Sequence, residues 1–146
     1  MTEKQRKILV IFPAAVFVIS LCFWILNKPK TRYVLFFESF DKGRQCLEER
    51  YLPHIEKEKR LQVFVNELLL GSQNPRCKLL FPKGTRSLFC FFDGGTLFIN
   101  LSGDIVKSDG AASEINAGFD LLRKNILHNF KYVKKIEIFA DNKEIF

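Results

Sequence analysis

The stretch "SLFCFFDGGTLFINL", Ser87–Leu101, holds two apolar runs on either side of Asp93-Gly94-Gly95. Asp-Gly and Gly-Gly pairs supply the positive φ angles that a tight hairpin turn requires. In the second run, every other residue from Leu97 to Leu101 is Leu or Ile, and alternate strand residues share one face. The stretch therefore predicts two antiparallel strands, joined by a turn at Gly94 and Gly95, with one face buried.

The residues just before this hairpin, Pro82-Lys83-Gly84-Thr85, contain a Lys-Gly-Thr triplet like part of a nucleotide loop. A phosphate-binding loop needs two glycines at a fixed spacing, with Lys and then Ser or Thr after the second. Here the lysine precedes the glycine, and no glycine stands at the earlier position. The sequence predicts that Pro82 and Gly84 form a structural turn, and that the protein binds no nucleotide and no other cofactor.

Two segments have the apolar period of amphipathic helices. The first lies within His54–Pro75 and has Gly71 at its C-terminal cap position; its stripe consists of Leu61, Phe64, Val65 and Leu68. The second spans about Gly110 to Asn129, with Ser108 or Asp109 as its cap; its stripe consists of Ile115, Phe119, Leu122 and Ile126.

Three further strands complete the predicted fold. Tyr33–Phe37 is unbroken and apolar, Cys46–Leu52 is weaker, and a closing strand contains Ile136 and Ile138 before an Asp141-Asn142 turn. Two amphipathic helices and one mixed sheet of about five strands predict an α+β, two-layer sandwich. We expect a single transmembrane helix to precede it.

The transmembrane prediction rests on Ile8–Leu26, which is apolar and uncharged throughout. Residues 1–32 hold six basic and one acidic side chain, so they account for +5 of the net charge of +7. Such a distribution favours a membrane over nucleic acid as partner, because a nucleic-acid binder carries its basic patch on the folded domain. The expected organisation is a cytoplasmic tail at 1–7, a membrane anchor at 8–26, a linker at 27–32 and a domain at 33–146.

Neither charge nor cysteine content fixes the compartment. Three basic residues lie on each side of the apolar segment, so the positive-inside rule gives no orientation. Cys46, Cys77 and Cys90 allow one intramolecular disulfide at most, and the alternative is that all three are small buried residues.

Candidate functional groups are few. Asp104, Asp109 and Glu114 precede or begin the second helix and could contact a ligand or a partner protein, and the two aspartates could also bind a cation. Such residues are more often helix caps or solvated groups. His54 and His128 are the two histidines, and each falls near a helix end. No catalytic constellation and no metal site follows from these residues, so we expect a protein that is not an enzyme.

Four segments resemble the GerMN (germane) domain of bacterial sporulation and germination proteins. They are "LLFPKGTRSL", "LFINLSGDI", "GAASEINAGFDLLRKNILHNF" and "FKYVKKIEIFADNKEI", and the resemblance covers about Tyr33 to Ile145. Two departures are "NLS" in place of an Asp-led triplet and Asp141-Asn142 in place of Asp-Gly.

The resemblance implies an extracytoplasmic domain that is held by lipid or a membrane helix. We expect this domain to be a non-enzymatic interaction module that docks an envelope protein. It implies no catalytic residues. The alternative is an envelope hydrolase or a small-ligand-binding domain with a pocket near the start of the second helix.

Overall fold

The computed structural model describes residues 3–26, 29–41, 44–107 and 110–144. The chain divides into two compact units, Met1–Lys30 and Thr31–Phe146. The helices are α1 (Glu3–Leu26), α2 (Lys57–Leu70) and α3 (Ile115–Asn129), with a 3-10 turn at Gly103–Val106. The strands are β1 (Lys30–Glu38), β2 (Gln45–Pro53), β3 (Ser87–Asp93), β4 (Thr96–Leu101), β5 (Lys135–Ala140) and β6 (Lys143–Glu144).

Helix α1 corrects one part of the predicted fold. Among the described residues, no helix is both long and apolar enough to cross a membrane. The predicted transmembrane helix Ile8–Leu26 is therefore contradicted; the side chains of its residues 8–10 and 26 lie outside the described part.

The strands form two sheets, where the sequence predicted one. β1 pairs with β2 in a two-stranded sheet, and the other four strands form a sheet in the order β3-β4-β5-β6. β3 and β4 are the predicted antiparallel hairpin, β5 runs parallel to β4, and β6 returns antiparallel to β5. β1 begins at Lys30, inside the predicted linker.

Two asparagines of α3 explain why β1 stays out of the larger sheet. Asn125 accepts a hydrogen bond from the Phe36 N–H and donates one to the Phe36 carbonyl, both at 2.8 Å. One helical turn later, Asn129 does the same with Val34, at 3.0 and 2.7 Å. The side-chain amides thus occupy main-chain groups of β1 that a neighbouring strand would otherwise use.

The core lies between the helices and the strands. The predicted stripe of α2 is buried, with Leu61, Phe64, Val65 and Leu68 exposed by 1% or less. Gly71 ends α2 with φ +88°, and its N–H bonds to the Leu68 carbonyl.

Helix α3 begins later than predicted. Its first residue is Ile115, because residues 111–113 run extended beside Leu79, which donates to the Ala111 carbonyl and accepts from the Ser113 N–H. The residue before the helix is Glu114, whose side chain makes no capping hydrogen bond. The predicted caps, Ser108 and Asp109, lie outside the described residues.

Candidate functional site

Asp104, the first predicted contact residue, lies in the 3-10 turn after β4. It accepts a hydrogen bond from the Ser102 hydroxyl at 3.1 Å and forms an ion pair with the Lys107 ammonium at 2.5 Å. The Lys107 ammonium, and then the Ser102 hydroxyl, lower the pKa of Asp104. A carboxylate held ionised by its own neighbours in the turn acts as a local staple and is a poor proton acceptor.

Glu114, the second, lines a cavity of about 340 Å³ at the start of α3. Pro82, Ile105, Lys107 and Ser113 also line it, but Asp104 does not. The structure thus places Asp104 and Glu114 on neighbouring segments without bringing both carboxylates to one cavity. Asp109, the third candidate, lies outside the described residues.

The four predicted turn residues lie at two bends. Thr85 donates to the Pro82 carbonyl through both its N–H, at 3.1 Å, and its hydroxyl, at 2.7 Å, and Gly84 between them has φ +97°. Gly94 and Gly95 have φ angles of +52° and +91° at the tip of the β3–β4 hairpin. Both bends need backbone conformations that glycine adopts at little cost.

The two histidines contact different parts of the chain. The ring nitrogens of His54 lie 3.0 Å from the Thr31 hydroxyl and 3.0 Å from the Arg60 guanidinium. His128 packs edge-on against the Phe36 ring, with 5.0 Å between ring centroids. Neither lies within hydrogen-bond reach of a described hydroxyl nucleophile together with an orienting carboxylate, which is the geometry of a nucleophilic triad.

The most tightly connected polar group of the domain was not predicted. It centres on Arg50 in β2, whose side chain is 6% exposed. Arg50 pairs with Glu48 and Glu67, each at 2.7 Å, and donates to the Gly71 carbonyl at 2.5 Å. The alternation in "CLEERYL" is the signal that could have found it, because Glu48 and Arg50 share the inward face with Leu52.

A disulfide between Cys46 and Cys77 lies next to this group and joins β2 to the segment after α2. Beside it, Glu48 accepts hydrogen bonds from the Ser72 hydroxyl at 2.7 Å and the Gln73 N–H at 3.1 Å. Burial alone would raise the pKa of Glu48, but the hydrogen bonds from Ser72, Arg50 and Gln73 lower it. The disulfide and the ionised carboxylate hold the end of α2 against β2.

The face of the four-stranded sheet opposite to the buried residues of β4 and β5 is aromatic. Phe91 stacks on Phe98 at 4.8 Å between centroids, and Phe89 lies 5.8 Å from Phe91 and 6.3 Å from Phe139. Phe89 is 37% exposed and Phe91 is 52% exposed. We call these four rings the phenylalanine face.

Within the ranges that the structure describes, no group of three or more His, Cys, Asp or Glu side chains could hold a metal ion.

Comparison with known proteins gives one family and one fold. The sequence model of the Germane family, described as "Sporulation and spore germination", matches residues 34–146. A crystal structure described as a "putative lipoprotein" from Clostridium perfringens is similar, with a TM-score of 0.51 and 22% identity over 79% of this chain and 77% of that one. No curated protein is significantly similar to the chain.

Proposed function

The chain belongs to the Germane family, and from that premise we propose that it is a non-enzymatic interaction module that acts outside the cytoplasm, in the assembly of a bacterial cell envelope. The family is described by sporulation and spore germination. An envelope protein is the partner proposed.

The Cys46–Cys77 disulfide is the observation that supports a location outside the cytoplasm. Disulfides form and persist in oxidising compartments, and the bacterial cytoplasm keeps most thiols reduced. The bond is also integrated into the fold, because it closes the same corner as the buried Arg50 and its two glutamates. The structural neighbour's description as a lipoprotein agrees with a place at the envelope.

Interaction is favoured over catalysis by the state of the polar groups. Asp104 and Glu48 are both held ionised by neighbouring donors, which suits structural staples better than general acids or bases. The phenylalanine face, in contrast, exposes apolar surface on a regular sheet, and contiguous apolar patches mark contact surfaces.

A cysteine at Lys143 tests the location. Lys143 is exposed at the start of β6, so Lys143→Cys in a chain with Cys22→Ser and Cys90→Ser gives one reactive thiol. We expect a membrane-impermeant maleimide to label it in intact cells whose outer envelope has been permeabilised. Labelling only after the cytoplasmic membrane is lysed would refute the proposed location, and a cysteine on a known cytoplasmic protein is the matched control.

The second candidate function is an envelope hydrolase or small-ligand-binding domain, and the cavity at the start of α3 favours it. Its volume of about 340 Å³ is within the size of small-ligand sites. Glu114→Gln removes the carboxylate that lines this cavity, and Asp120→Asn, the control, removes an exposed carboxylate on α3. Loss of a cellular phenotype with Glu114→Gln alone, at unchanged protein level, would favour the ligand-binding function over the interaction module.

A further inference from the structure

Strand β3 is the edge of the four-stranded sheet that carries the phenylalanine face. In an antiparallel ladder, alternate residues turn their main-chain N–H and C=O groups away from the partner strand. Among the strands that the structure describes, β3 pairs with β4 alone, so its other side presents unpaired main-chain groups next to Phe89 and Phe91. Such an edge is a template for a further strand.

The other sheet edges carry the charges that natural proteins use to prevent pairing. β2 contains Glu48, Glu49 and Arg50, and it ends at Pro53. β6 begins with Lys143 and continues with an acid. Within β3, by contrast, Ser87–Phe92 holds no charge, and the only irregularity is a register shift at its start.

The sequence of β3 is suited to pairing with itself. "Leu-Phe-Cys-Phe-Phe", residues 88–92, has a phenylalanine on each side of Cys90. When two copies run antiparallel about a two-fold axis at Cys90, Phe89 of each copy lies opposite Phe91 of the other, and Leu88 lies opposite Phe92. Aromatic pairs directly opposite each other stabilise antiparallel strands, and like charges would destabilise them.

We propose that the occupant of this edge is a second copy of the chain, joined β3 to β3 about Cys90 so that two four-stranded sheets become one and the two phenylalanine faces become continuous. The inference rests on the proposed interaction module and names its partner. A symmetric pair of this kind is self-complementary, with each contact made twice. Because no charged side chain from 87 to 92 opposes its own copy, assembly needs no charge to be neutralised.

Two charge variants test both the edge and the register. F89E and F91K alter side chains that are exposed on the sheet, so circular dichroism should stay unchanged. Each alone loses both aromatic pairs of the dimer and should weaken self-association at least about tenfold. When the two variants are mixed, the introduced carboxylate at position 89 faces the introduced ammonium at position 91 of the other copy, and the second contact remains Phe89 with Phe91, so a mixed dimer should form.

The assay is sedimentation of the full chain over a range of concentrations, in a mild detergent because α1 exposes apolar side chains. Co-purification of differently tagged copies measures mixed dimers. V106K is the matched control, since Val106 is 76% exposed and belongs to the 3-10 turn and not to β3. We expect V106K to associate like the unmodified chain.

Three results would overturn the inference. The first is an unmodified chain that stays monomeric up to about 100 µM, because a dissociation constant above that concentration means no stable dimer. The second is association of F89E and F91K as strong as that of V106K, and the third is a mixture of F89E and F91K that does not associate. None of them bears on the disulfide or on labelling at position 143. An extracytoplasmic domain that is monomeric would therefore leave the proposed function standing and remove only the second copy as partner.

Discussion

Replacing Asn125 by leucine tests the link that separates β1 from the larger sheet. Asn125 is fully buried, and its amide satisfies both main-chain groups of Phe36 and donates to the Leu121 carbonyl at 2.8 Å. Leucine has the same branched shape and number of heavy atoms, so Asn125→Leu creates no cavity but leaves the Phe36 N–H and C=O without partners. Each buried unsatisfied group costs about 1–3 kcal/mol, so the loss of two partners should lower the free energy of unfolding by about 2–6 kcal/mol.

Urea denaturation followed by circular dichroism measures this change, with Asn116→Leu as the control. Asn116 is on the same helix and exposed, so the same substitution there should change stability by less than about 0.5 kcal/mol. Asn129→Leu should fall between the two, because Asn129 is only partly buried. If Asn125→Leu were no more destabilising than Asn116→Leu, the account of the amides as substitutes for a strand would be wrong.

An aspartate at position 125 separates the hydrogen bonds from shape. A buried carboxyl has a raised pKa, and only its protonated form can still donate to a carbonyl. Asn125→Asp should therefore be least destabilised below about pH 4 and lose stability as the pH rises. A pH-independent loss would refute this reasoning.

Three further predictions concern packing and titration. Gly118→Ala should lower the free energy of unfolding by about 1–3 kcal/mol in urea titrations, because the added Cβ would lie 2.3 Å from the Leu80 carbonyl oxygen. Gly110→Ala is the control, since a Cβ there meets open space, and equal effects of the two substitutions would contradict the predicted clash. The Lys78 ammonium lies 2.7 Å from the Glu38 carboxylate and lowers its pKa, so Lys78→Met should destabilise the protein at pH values above 4.5, the ordinary pKa of the group, and progressively less as the pH falls below 4.5. A loss of stability that is constant from pH 3 to pH 8 would refute the pairing. Burial raises the pKa of Cys90 to about 12, so in a Cys22→Ser chain the thiol should react with maleimide at pH 8 far more slowly when folded than in urea; equal rates would show an exposed thiol.

Local patterns predicted the elements, but not the way in which the strands assemble. The hairpin turn at Gly94 and Gly95 follows from the φ angles those residues permit, and the α2 stripe follows from helical period. Whether β1 joins the larger sheet depends on Asn125 and Asn129. Asn125 bonds to Phe36, which lies 89 positions earlier in the chain, and Asn129 bonds to Val34, which lies 95 positions earlier. Two polar residues four apart on a helix usually face solvent, so no local pattern indicates this role.

The polar sites show the same limit. Asp104 could be found from its place before a helix, yet its partners Ser102 and Lys107 only become evident in the turn geometry. The buried ion pairs of Arg50 were not predicted because charged residues in a strand normally lie on its exposed face. The pairing of Cys46 with Cys77, and not with Cys90, likewise depends on distance in the fold: their Cα atoms are 6.2 Å apart although 31 positions separate them in sequence.

The oxidation state of Cys46 and Cys77 in living cells tests the central claim, that this Germane domain works outside the cytoplasm. In a chain with Cys22→Ser and Cys90→Ser, acid quenching followed by a mass-adding maleimide counts the free thiols on a gel. The account predicts no shift before reduction and a shift of two reagents afterwards. A shift of two reagents without reduction would mean that both thiols are free in the cell, and would contradict the claim.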